Sequence, residues 1–284
     1  MSTINVDPLG IYYKCAGEGN TDYNNEQLHE QDLQRLRELR PMDDDFMRCM
    51  FRDNLPLAQV VLRIITGIKD LVLIKEETQK DLKRLVGARS LCLDVFGEDS
   101  TGKKYDLEVQ RADKGARPKR ARYHAAAIDV ENLNVGQEFE DLPEAYTIFV
   151  TENDVFGQGK GLYPIERINL ATRQAFDDGE HILYVNGQYR ADDELGKLMH
   201  DFGCSNPDDM LIDEMAKTSR YYKMDPKGVS IMCKAMEDMR NEAIERNTIE
   251  LLKNLMETMK LTAQQAMDAL KVPLDKQKSY IAKL

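Results

Sequence analysis

A chain of 284 residues with a formal net charge of −11, 42% hydrophobic and 31% charged, can bury a sizeable core and reads as globular rather than disordered. The acidic balance excludes a protein that coats nucleic acid by bulk charge; a local basic patch can still act, because charges are screened over about 8 Å in physiological salt. The cysteines (Cys15, Cys49, Cys92, Cys204, Cys233) are odd in number, widely spaced and without CxxC, which disfavours a disulfide framework or a Cys-rich zinc site and fits a reducing cytoplasm. The histidines are scattered, no apolar run approaches the roughly 18 residues of a membrane span, and no basic-then-apolar signal pattern opens the chain.

Residues 1–25 are polar and rich in Gly and Asn, and read as a loosely ordered leader. Leucines at 28, 33, 36 and 39 predict a helix over 26–40, ended by Pro41. A further helical stretch covers 43–67, broken at Asn54-Leu55-Pro56 and closed by Gly67. Asp43, Asp44 and Asp45 open it, where carboxylates cap free N–H groups and meet the positive end of the helix dipole. Short strands are expected at 71–74 and 81–86, then at 89–96 and 104–110, 144–151, 162–170 and 181–185. Pro164 places the strand near it at a sheet edge. Helices are expected from Lys119 to Val130, over 193–202, and over 208–222, the last entered by Asn206-Pro207. Beyond residue 226 the chain reads as helical and methionine-rich, with Thr262 and Gln265 spaced for a capping box and Pro273 separating two short helices.

The chemistry concentrates between Arg89 and Arg122. Leu91, Leu93 and Val95 alternate with Cys92 and Asp94; Tyr105, Leu107 and Val109 alternate with Asp106, Glu108 and Gln110. Asp99-Ser100-Thr101-Gly102-Lys103 between them has glycine where a three-residue hairpin loop needs it. If Asp99 faces Lys103, the same register sets Asp94 opposite Glu108, with Cβ atoms about 5 Å apart, and Gln110 on their side. A one-residue slip would turn the side chains to opposite faces. Two facing carboxylates repel unless a cation lies between them, and a hard dication such as Mg²⁺ takes one or two carboxylates plus water and phosphate oxygens. Gln110 can orient a water or a phosphate. Residues 111–122 then carry six basic side chains against one acid, Asp113, and suit the phosphate backbone of a nucleic acid. A solvated hairpin face, a solvated basic run and plain helix capping by the three aspartates are the structural alternatives.

Four pieces together resemble the PD-(D/E)XK nuclease superfamily, specifically its Rpn-type recombination-promoting nucleases, a branch often labelled transposases: DDDFMRCMF at 43–51, LDVFGEDSTGKKYDLEVQRADKGARPKRARYH at 93–124, YTIFVTENDVFG at 146–157, and HILYVNGQYR with GKLMHDF within 181–202. The resemblance spans roughly residues 42–222. It implies an α/β, restriction-endonuclease-like mixed central sheet flanked by helices, here with a C-terminal helical tail, and a DNA endonuclease dependent on Mg²⁺ (or Mn²⁺). It places Asp94 at the family's metal-binding aspartate, Glu108 at the acid of the E-x-K motif and Gln110 at its lysine. Asp44, or its neighbour Asp45, resembles the first-helix acid that touches the metal. Arg122 and Tyr123 resemble polar positions on the helix that faces the site.

The expected organisation is a polar leader and short helix over 1–41, a nuclease-like domain over 42–225 and a helical tail over 226–284. The expected function is metal-dependent endodeoxyribonuclease, linked to recombination or mobile elements. Asp94, Glu108 and Gln110 would be catalytic, Asp94, Glu108 and Asp44 metal-binding, and Lys119, Arg120, Arg122 and Tyr123 DNA-binding. A cytoplasmic protein is expected, with no membrane partner and with self-association through the C-terminal helices. The alternative is a non-catalytic nucleic-acid-binding or oligomeric interaction protein on the same fold.

Overall fold

The structure, a computed structural model, describes residues 4–6, 12–14, 21–82, 91–111 and 116–284. Within the expected loose leader, β1 (Ile4–Val6) pairs antiparallel with β2 (Tyr12–Lys14). Helix α1 (Thr21–Glu38) starts earlier than the leucine spacing predicts. Helices α2 (Asp44–Phe51) and α3 (Leu55–Thr66) follow the expected break: Asn54 Oδ1 accepts the Leu57 N–H at 3.3 Å, and Gly67 closes α3 at φ 74°, a conformation glycine adopts without strain.

A six-stranded mixed sheet forms the centre, in the order β3-β4-β5-β6-β8-β7. Strand β3 (Leu73–Asp81) is much longer than the apolar run at 71–74, because it continues through a charged stretch. Of the strand expected over 81–86, Asp81 ends β3 and residues 83–86 lie outside the described residues. Strands β4 (Cys92–Asp99) and β5 (Lys104–Gln110) form the expected hairpin. Strands β5, β6 (Ala145–Thr151) and β8 (Glu180–Asn186) run parallel, and β7 (Leu162–Ile165) closes the sheet antiparallel at its edge, where Pro164 needs no ladder partner for an N–H.

The two faces are covered by different helices. Gly97 of β4 faces α3: a Cβ there would lie 3.2 Å from Leu73 and 3.6 Å from Leu62 of α3. The opposite face is covered by α4 (Pro118–Asn132), where Ala121, with Ala116 just before the helix, packs against Phe149 and Tyr184. Ile128 of α4 joins Leu93, Phe96 and Ala145. Helix α5 (Glu194–Gly203) follows the sheet. The Asn206-Pro207 signal opens only a 3-10 turn at Pro207–Asp209, and α6 (Asp213–Met224) starts later than expected.

Two compact units are present, Met1–Met232 and Cys233–Leu284. The methionine-rich stretch beyond 226 opens as one long helix, α7 (Pro226–Met259), since its polar residues are helix-compatible. In the second unit α8 (Ala263–Ala269) carries both bonds of the Thr262–Gln265 capping box, and α9 (Leu274–Ile281) follows Pro273. Leu252, Ala266, Met267, Val272 and Tyr280 form its core. No helix among the described residues is long and apolar enough to cross a membrane.

Lys223 of α6 ties three segments of the first unit together. Its ammonium donates to the carbonyls of Arg37 (3.1 Å), Leu39 (2.5 Å) and Ser205 (2.5 Å), and lies 5.0 Å from the Phe46 ring centre. Lys223→Met keeps the apolar stem and removes all three donors. The expected cost is about 2–3 kcal/mol of unfolding free energy, read from the midpoint shift in urea denaturation.

Candidate metal centre on the β4–β5 hairpin

The turn chemistry that sets the register is complete. Gly102 takes φ 89° and donates to the Asp99 carbonyl at 3.0 Å, while Asp99 N–H donates to the Lys103 carbonyl at 3.1 Å. The Asp99 carboxylate accepts from Thr101 N–H, the Thr101 hydroxyl and the Tyr105 hydroxyl at 2.8, 2.7 and 2.8 Å. Val95 then pairs with Leu107 and Phe96 with Asp106, the register the turn predicts. The ladder ends at Val95–Leu107; at the next position the Asp94 backbone N–H donates to the Glu108 side chain, at Oε1, at 2.9 Å. Asp94 Oδ2 accepts the Val109 N–H at 3.2 Å.

Strand β5 buries its carboxylates. Asp106 and Glu108 are fully buried, as is His124 of α4, and one ligand atom from each of the three lies within 4.8 Å of the others. Helix α4 supplies the counter-charge. Arg120 donates through one terminal nitrogen to Glu108 Oε2 at 2.9 Å, through the other to Gln110 Oε1 at 3.2 Å, and through Nε to His124 Nε2 at 3.2 Å. That last bond fixes the imidazole: Nε2 accepts, so Nδ1 carries the proton and donates to Asp106 Oδ2 at 2.9 Å. Burial holds His124 below its ordinary pKa, consistent with this neutral form. The guanidinium also lies 5.9 Å from the centre of the Phe149 ring, which His124 meets edge-on.

Three carboxyl groups thus share a poorly solvated site with one guanidinium. Burial, then the charges of Asp106 and Asp94, push Glu108 up to about 8. Burial and the Asp94 charge push Asp106 well above the carboxylate range, and burial with the Asp44 charge raises Asp94. Among the described residues no donor reaches Asp106 Oδ1, a buried oxygen.

The three aspartates at the start of α2 have different partners. Asp43 accepts from the Arg40 N–H (2.7 Å) and pairs with Arg111 (2.9 Å), and Asp45 pairs with Arg35 (3.4 Å). Asp44 pairs with Arg48 at 2.8 Å, and its charge acts on Asp94. Lys119, Arg122 and Tyr123 are exposed on α4, whereas Arg120 and His124 point to the carboxylates. Lys114 of the basic segment lies outside the described residues, and Arg111 is engaged with Asp43 and Glu152. Asp106 and His124 were not singled out from sequence. Their signals were present, since Asp106 shares the even alternation of Glu108 and His124 falls one helical turn after Arg120.

A mixed sheet that presents an aspartate and an E-x-Q pair from adjacent antiparallel strands beside a helix bearing arginine and histidine defines a nuclease-like domain of the restriction-endonuclease class. Residues 57–189 match the family described as PD-(D/E)XK nuclease family transposase. No curated protein and no solved structure matches the chain significantly. Asp94, Glu108, Gln110, Arg120 and His124 all fall inside the matched segment, and Asp44 precedes it.

Because the Asp106 charge is a leading cause of the raised Glu108 value, Asp106→Asn should bring Glu108 below about 8 in metal-free protein. Carbon-13 NMR titration of the glutamate carboxyl groups reads this directly.

Proposed function

We propose that the protein is a divalent-metal-dependent DNA endonuclease that hydrolyses phosphodiester bonds. The observation that supports this reading is the proximity of Asp94 and Glu108, joined by the Asp94 N–H to Glu108 Oε1 bond, with Arg120 bridging Glu108 and Gln110 beside them. The residues fit a hard dication: the facing carboxyl groups are all-oxygen donors, they outnumber the cation that reaches them, and Asp106 leaves a buried oxygen without a donor. Asp94 and Glu108 would hold Mg²⁺ or Mn²⁺, with Asp44 supporting from α2. A bound ion supplies Lewis acidity toward the phosphate and a water of lowered pKa.

The remaining roles belong to the chain itself. Gln110 carries no titratable proton at neutral pH, so its carboxamide orients the attacking water or a phosphate oxygen. Arg120, beside Gln110 and Glu108, brings the positive charge that a lysine at position 110 would have brought, and meets the developing charge on the phosphate. Lys119, Arg122 and Tyr123, exposed on α4, contact the flanking DNA backbone. We further assign this activity to DNA recombination or mobile-element processing in the cytoplasm, and self-association to the helices after residue 226.

Supercoiled plasmid incubated with Mg²⁺ is expected to be nicked, with EDTA abolishing the reaction. Asp94→Ala and Glu108→Gln should each lower the rate by more than the roughly hundredfold that loss of an outer-shell partner costs. Equal cleavage by wild type and Asp94→Ala would remove the assignment.

A proton and a metal ion compete for Glu108. With its pKa near 8, the site is mainly protonated below that pH, so apparent Mn²⁺ affinity should fall about tenfold from pH 7 to pH 6. Titration calorimetry across pH checks both the direction and the release of one proton.

A further inference from the structure

Strand β3 contains one backbone irregularity at the candidate metal centre. Thr78 pairs with Val95 and Lys80 with Leu93, so Gln79 lies across from Asp94. Gln79 has φ 58° in the interior of a strand, and no other β3 residue has a positive φ. Left-handed backbone disfavours any side chain with a Cβ; glycine, asparagine and aspartate account for most of its occurrences. Such strain persists where the surroundings over-determine it, and it collects at functional sites.

What this backbone presents is a carboxamide. Gln79 Nε2 donates to Asp94 Oδ1 at 3.2 Å. At its other end Gln79 Oε1 accepts from the Cys92 thiol at 3.5 Å, which sets the way the amide faces. With the Val109 N–H on Oδ2, the Asp94 carboxylate is held at both oxygens, from β3 on one side and β5 on the other. The donor is neutral. An arginine or lysine there would fix Asp94 equally well but would cancel the charge that attracts a cation.

We propose that Gln79 is a positioning residue, whose carboxamide, presented by left-handed backbone in mid-strand, holds the Asp94 carboxylate in the orientation that binds a divalent cation. This rests on the reading of Asp94 and Glu108 as a metal centre. It adds a third strand to the site and gives the strained backbone a purpose.

The test uses full-length protein and Mn²⁺ alone, read by titration calorimetry or by the paramagnetic resonance of free Mn²⁺, with thermal denaturation alongside. Gln79→Gly removes the carboxamide and relieves the backbone; Gln79→Ala removes the carboxamide and keeps the strain. Both should bind Mn²⁺ about tenfold more weakly or worse. The glycine variant should melt no lower than wild type, and up to about 3 °C higher. Loss of affinity with retained or improved stability is a combination that a purely structural glutamine would not produce. Wild-type affinity in either variant overturns the proposal, since the backbone rather than the carboxamide would then be responsible, or neither. A steep fall in melting temperature in both variants would also overturn it, marking Gln79 as a fold-keeping residue. Asp94→Ala separates the two levels of inference. Undiminished Mn²⁺ binding there removes the metal centre itself, whereas loss there with intact binding in the Gln79 variants removes only the role of Gln79.

Discussion

Carboxyl groups have been placed on a strand that is covered on both faces, and much of the first unit follows from accommodating them. Strand β5 is buried from Tyr105 to Val109, and two of those five residues are Asp106 and Glu108. Isolated buried carboxylates cost far more than a small domain can tolerate, so they must be paired, hydrogen-bonded or protonated. Helix α4 supplies this by projecting Arg120 and His124 from one face. That helix has to lie close to the sheet for an imidazole to reach Asp106, and the residues beside those two on its inner face are alanines, Ala121 and Ala125, both buried. The electrostatic demand of β5 and the small side chains of α4 are two sides of one constraint.

The same pairing explains why the site is only partly neutralised. His124 is held neutral by accepting from Arg120, so it hydrogen-bonds Asp106 without balancing its charge. Arg120 divides its donors among a carboxylate, an amide and an imidazole. The arrangement restrains the acids geometrically and leaves more carboxyl groups than cations, so that protons are retained there in the absence of metal, a different balance from that of a structural ion pair. Elsewhere in the first unit the acids are matched more fully: Asp43 meets Arg40 and Arg111, and Glu152 meets the same two arginines.

Much of this was legible from local chemistry. The alternation at 104–110, the Gly102 turn and the basic run after Gln110 are short-range signals, and the hairpin register followed from them because loop length and side-chain period leave little freedom. The breaks at Asn54 and Gly67 and the Thr262 capping box were readable for the same reason. What was hidden depended on distance in the chain. Asp44 meets Arg48 one helical turn on, a local spacing, but nothing near Asp43 and Asp45 reveals Arg111 and Arg35 as their partners. His124 looked like one scattered histidine until α4 was laid over β5. The length of β3 is hidden because Lys75, Glu76, Glu77 and Lys80 carry no apolar alternation, and the start of α6 is hidden because the Asn206-Pro207 signal opens a single 3-10 turn instead.

That charged run in β3 has a meaning beyond the difficulty of seeing it. The six-stranded sheet ends in β3 on one side and β7 on the other, and the outermost strand of any sheet offers unpaired N–H and C=O groups to whatever chain comes near. One border is studded with lysine and glutamate, and the other is four residues long and interrupted by Pro164. Neither is an inviting template for a further strand. A newly made chain, crowded among copies of itself while its parallel strands are still finding one another, is thereby steered away from stacking edge to edge into aggregates.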